Sequence, residues 1–134
     1  MTEDQTEVAR ACLAAAESDT ANFPEIVGAL ITAGFESYAV DLRRATATYY
    51  LPSGDSLELP THKAGTAIAP TLDAGRLTAA IREAQQQAPG YTYRGFCEKA
   101  AAAGCAGYIV SFPGRRAVYF ARTAETHVEL FPGS

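Results

Sequence analysis

The chain has 134 residues, a mass of 14.2 kDa and a net charge of −4, with 48% hydrophobic and 19% charged residues. That is one domain's worth of chain with material for a core, and it excludes the low hydrophobicity and high net charge of a disordered chain. No apolar run approaches the roughly 18 residues of a membrane span, no polybasic block favours nucleic acid, and Met1-Thr2-Glu3-Asp4 opens without the apolar stretch of a secretory leader.

Taken in chain order, Asp4 followed by Glu7 reads as a capping box. It opens a helix that carries Val8, Cys12 and Leu13 to about Ser18. Asn22 opens a second helix, with Pro24 in its first turn and Glu25 three residues on. Ile26, Val27, Leu30 and Ile31 give that helix an apolar face at helical spacing, and Gly34 supplies the left-handed position that ends it. The period then changes to the two-residue alternation of strands. Tyr38, Val40 and Leu42 alternate with Ala39 and Asp41; after Arg43-Arg44 a strand returns over Thr46 to Leu51. A third strand, Ser56 to Leu59, follows the Ser53-Gly54-Asp55 turn. Residues 60–72 read as a linker marked by Pro60, Gly65 and Pro70, with Thr66 to Ala69 a candidate for one more short strand.

The same order then recurs. Asp73 caps a helix bearing Leu77, Ala80, Ile81 and Ala84; Thr92 caps the next, and Gly104 closes it. Tyr108, Val110 and Phe112 alternate with Ile109 and Ser111, Pro113-Gly114 turns the chain, and strands over Ala117 to Arg122 and Thr126 to Phe131 complete the pattern. Sliding the sequence by 70 positions gives six identities in the eighteen positions from Ala33 to Tyr50, among them Tyr38 with Tyr108 and Tyr49 with Tyr119. A shift of one more aligns Glu58-Leu59 with Glu129-Leu130. Self-similarity at a fixed offset dictates architecture. The expected fold is α+β: an internal duplication of a helix-helix-β-meander unit, building a roughly six-stranded antiparallel sheet with helices mainly on one face. Repeat one spans about 4–60, the linker 61–72 and repeat two about 73–132, within a single domain over 1–134.

Tyr93, Phe96, Ala103-Gly104, Tyr108, Tyr119 and the closing Val128-Glu129-Leu130-Phe131-Pro132 together form a pattern of aromatic and small residues. This pattern resembles that of DUF1398, a family of unknown function. The resemblance implies a small bacterial or prophage protein, of a kind sometimes labelled phage envelope protein, and it implies no catalytic residues.

Cys12, Cys97 and Cys105 are odd in number and contain no Cys-x-x-Cys pair, which predicts a reducing, cytoplasmic compartment, with Cys12 and Cys97 as free core thiols among helix alanines. If the strands pair across their tight turns, Tyr38 meets Tyr49 and Tyr108 meets Tyr119 as cross-strand packing beneath the helices. Arg43-Arg44 and Arg115-Arg116 stand in comparable hairpins and are candidates for holding a small anion. His127 and Glu129 share a strand face; with His62 they would be the minimum of a two-His-one-carboxylate metal site, but no spacing brings His62 near, and no metal or cofactor is expected. Charge is uneven. Residues 1–41 carry eight acids and one base, and the remainder carries ten bases and seven acids.

The second sheet face is the most telling feature. In the first half it carries Ala39, Asp41, Thr46, Thr48 and Tyr50; in the second Ile109, Ser111, Val118, Phe120 and Arg122. Ile109, Val118 and Phe120 are therefore the candidate interface. Two functions follow as expectations. The first is a non-catalytic binding or assembly module, homodimeric or holding an unknown protein partner. The second is a small-molecule-binding protein or small enzyme, with a site between the repeats lined by Tyr38, Asp41, Tyr108, Arg116 and His127 and a small anion as ligand. The absence of any recognised catalytic constellation favours the first.

Overall fold

A computed structural model describes residues 1–132; the last two positions of the expected 1–134 domain lie outside the described residues. The order is α1 (Glu3–Glu17), α2 (Phe23–Ala33), β1 (Ser37–Asp41), β2 (Thr46–Tyr50) and β3 (Ser56–Pro60). It continues with α3 (Ala74–Gln86), α4 (Tyr93–Ala102), β4 (Cys105–Ser111), β5 (Arg116–Ala121) and β6 (Thr126–Leu130).

Side-chain caps set three of the helix starts where the sequence places them. Asn22 Oδ1 accepts the Glu25 N–H at 3.0 Å while the Glu25 carboxylate accepts the Asn22 N–H at 2.9 Å. Asp73 and Thr92 accept from Arg76 and Gly95 in the same way. The first helix corrects the expectation. Its cap is Thr2, whose hydroxyl accepts the Gln5 N–H at 3.1 Å as Gln5 accepts the Thr2 N–H at 3.0 Å, so Asp4 and Glu7 lie inside the helix. The Gln5 amide also donates to the Ala33 carbonyl at 3.0 Å, a tertiary contact that fixes this register.

The strands form one antiparallel sheet in the order β3-β2-β1-β4-β5-β6. At its centre Ala39 of β1 faces Ile109 of β4, residues 70 apart, so a pseudo-twofold axis through this pair relates the halves. The offset holds everywhere in the sheet. Tyr38 faces Tyr49 as Tyr108 faces Tyr119; Tyr49 faces Leu57 as Tyr119 faces His127. Leu57 and Leu59 thus correspond to His127 and Glu129, and the one-residue slip expected from the Glu-Leu pairs does not occur. Positive φ angles recur at the same spacing, at Gly34 and Gly104, Ala45 and Arg115, and Gly54 and Ala124. The hairpins therefore share backbone shape although their sequences differ.

One sheet face lies under the helices. Tyr38, Val40, Leu42 and Tyr49 with Tyr108, Val110, Phe112 and Tyr119 join Cys12, Leu30, Leu77, Ile81 and Phe96 in a single core. Tyr38 stacks on Tyr49 with centroids 5.5 Å apart, and Tyr108 lies 5.3 Å from Tyr119; such pairs contribute about 0.5–1.5 kcal/mol beyond area burial.

The segment 61–72 has neither helix nor strand, so the candidate strand at Thr66–Ala69 is not formed. It is nevertheless pinned throughout. Thr61 donates to Ala45, Gly65 and Thr66 donate to the Glu98 carboxylate, and Ala69 and Asp73 donate to the Ala101 and Ala103 carbonyls. It passes so close to Gly104 (φ +92°) that a Cβ there would lie 2.0 Å from the Thr71 carbonyl oxygen. Both the backbone angle and the contact require glycine.

Candidate functional site

Strand alternation leaves the other sheet face without helices. The registers arrange its side chains in three rows running from β3 to β6. The central row is Glu58, Thr48, Ala39, Ile109, Val118 and Val128. On one side lies Ser56, Tyr50, Ser37, Ser111, Arg116 and Leu130; on the other Pro60, Thr46, Asp41, Gly107, Phe120 and Thr126. The first half is small and polar, and the second is apolar. Ile109, Val128 and Leu130 are 47%, 46% and 53% exposed, and Tyr50 is 37% exposed. Ile109, Val118 and Phe120, the candidate interface of the sequence, all lie here.

A shallow hollow of about 210 Å³ sits at the pseudo-twofold axis, lined by Ala39, Asp41, Thr48, Glu58, Ile109 and Phe120 among others. Its charged groups are already engaged. The Asp41 carboxylate accepts the backbone N–H groups of Arg43 and Arg44 at 2.9 and 3.0 Å, and Arg44 lies 3.9 Å from Glu58. Phe120 lies flat over Gly107, where a Cβ would come within 2.6 Å of the ring. A bulge between Cys105 and Gly107 interrupts the ladder at that point.

The five residues expected to line a ligand site do not converge. Tyr38, Tyr108 and His127 point to the helix-covered face, whereas Asp41 and Arg116 point to the open one. Because β1 and β4 are antiparallel, their hairpins also lie at opposite ends of the sheet. Arg43-Arg44 and Arg115-Arg116 therefore cannot hold one anion together, and Asp41 is remote from Arg116 for the same reason. Arg116 donates instead to the Gly114 carbonyl at 3.0 Å. His62 follows β3 and His127 lies on β6, at opposite edges of the sheet.

Two polar clusters lie on the covered side; the sequence reading pairs His127 with Glu129 but misses Arg82 and the whole of the other cluster. The Glu17 carboxylate meets His62 Nδ1 at 2.5 Å and accepts the His62 N–H at 2.9 Å, with Arg94 at 3.6 Å. On β6, Glu129 pairs with Arg82 of α3 and lies 3.4 Å from His127 Nε2. His62 Nε2 and His127 Nε2 are buried and make no hydrogen bond. Nearby, Tyr93 and Tyr108 share a hydroxyl hydrogen bond of 2.7 Å, and burial holds both phenols well above their ordinary range. Burial pushes the Cys97 thiol up to about 12, so it is no thiolate nucleophile near neutral pH.

Residues 12–129 match the sequence model of the family described as Protein of unknown function (DUF1398). No curated protein matches the chain. None of its helices is long and apolar enough to cross a membrane, among the described residues.

Proposed function

The chain belongs to the DUF1398 family, and for this member we propose a non-catalytic assembly role in which a second copy packs on the helix-free sheet face. The observation that carries it is the gathering of Tyr50, Ile109, Val128 and Leu130 on that one face, with Val118 and Phe120 between them. Water against this surface is costly at ~25 cal/mol per Å². Packing with the dimer axis across the strands sets β4–β6 on β4–β6, apolar on apolar, and the polar first halves on each other. Size supports the same occupant. Six strands of five residues cover roughly 29 by 17 Å, a footprint that a second copy's identical face matches in size. The same reading takes the halves as copies of one duplicated unit and places the protein in a reducing compartment, in keeping with its three buried, free thiols.

Two substitutions in the central row separate this reading from a general effect of added charge. In light scattering Ile109→Glu halves the assembly mass with an unchanged far-ultraviolet spectrum, while Thr48→Glu, in the polar half, leaves most of it intact. Equal response of the two variants, or none from either, contradicts the proposal.

A further inference from the structure

The two edges of the sheet are equivalent by position and opposite in chemistry. On β3 the outward-facing residues are Ser56, Glu58 and Pro60, because Leu57 and Leu59 lie in the alternation that also directs Thr61 N–H inward to Ala45. That edge is blunted: Pro60 has no N–H, the Ser56 N–H is taken by the Asp55 carboxylate at 3.0 Å, and Glu58 carries charge. On β6, Phe131 N–H donates inward to Arg115, so the backbone groups of Thr126, Val128 and Leu130 face outward, and no hydrogen bond within the described chain engages them. The strand is free of proline and lysine, and its outward residues carry apolar side chains at Val128 and Leu130.

We infer that β6 pairs antiparallel with β6 of a second copy, in a register centred on Val128, joining two sheets into one of twelve strands. This second interface rests on the self-association reading only in its choice of occupant. The register sets Val128 against Val128 and Thr126 against Leu130, three pairs whose outward groups exchange two hydrogen bonds each. It also decides the partners on the covered side. His127 falls opposite the second copy's Glu129, and Glu129 opposite the second copy's His127, a cross-strand imidazole–carboxylate pair on both sides of the axis. That accounts for two otherwise unexplained observations. His127 and Glu129 occupy places where the first half has Leu57 and Leu59, and His127 Nε2 is buried without a hydrogen bond. Glu129 keeps one oxygen on Arg82, and its other oxygen lies 3.4 Å from its own chain's His127 Nε2 without completing a hydrogen bond. The apolar halves of the two open faces then meet at the seam and form one continuous patch.

Cysteine substitution at equivalent edge positions tests this directly. Val128→Cys places two thiols across the axis at the roughly 5.5 Å Cα separation of a hydrogen-bonded pair, within disulfide reach. Mild oxidation is expected to give a dimer band on a non-reducing denaturing gel, with or without Ile109→Glu, whereas Glu58→Cys gives none. Val128→Pro removes an outward N–H that the fold itself does not use, and should weaken the association about tenfold or more. No band from Val128→Cys, or equal bands from both cysteine variants, overturns the edge pairing. If Ile109→Glu still halves the native mass in that case, the face reading stands and only the edge falls; a native chain that stays monomeric overturns both.

Discussion

At the scale of single residues, burial governs chemistry. Tyr38, Tyr49, Tyr93, Tyr108 and Tyr119 all have phenols held above their ordinary range by desolvation, and Tyr91 is pushed up to about 12. The thiols of Cys97 and Cys105 are pushed up to about 12 and about 11 for the same reason. Each group is neutral in the fold and ionises more easily in the unfolded chain, near pH 9 for thiols and 10 for phenols. The stability they contribute is therefore complete below about pH 9 and is lost as pH rises toward the folded values. Urea titrations should show a midpoint insensitive to these groups between pH 7 and about pH 9 and falling steeply above about pH 10, with the six buried phenols ionising together with unfolding. Ionisation of any of these six phenols in the folded protein near pH 10 contradicts this burial.

At the scale of elements, local chemistry made most of the fold legible. Asn22, Asp73 and Thr92 signal their helices because a short polar side chain before an apolar-periodic run satisfies a free N–H in one way only. Asn22→Ala should lower stability by about 1 kcal/mol, read as a shifted denaturant midpoint at unchanged slope. A null effect would mean that packing alone starts α2. What escaped the sequence was decided by tertiary contacts. Thr2 with Gln5 and Asp4 with Glu7 fit the same capping pattern, and the choice rests on Gln5 reaching Ala33 across to α2. Segment 61–72 has the proline and glycine of a free linker, yet its N–H groups find Glu98 and the end of α4. The open face was visible from alternation in β1, β2, β4 and β5. Val128 and Leu130 were missed because the open face was read from the first two strands of each half, and the register of β6 with β5 is what adds the third. Asp41 and Arg116 were grouped with Tyr38 and Tyr108 without regard to which face each one occupies, so the structure does not bring the five residues together.

At the scale of the whole molecule, the halves agree in backbone and differ in chemistry where the fold leaves freedom. The covered face is apolar in both halves except at β6, the open face is polar in one half and apolar in the other, and one edge is blunted while its equivalent is bare. A monomer gains nothing from leaving Ile109, Val128 and Leu130 in water beside a free strand edge. Assembly from copies of one chain gives all three asymmetries a single cause. Sedimentation equilibrium of the native chain over a wide concentration range tests that cause most directly. The account predicts a mass that is an even multiple of 14.2 kDa and falls toward 14.2 kDa on dilution. A mass of 14.2 kDa at every concentration contradicts it.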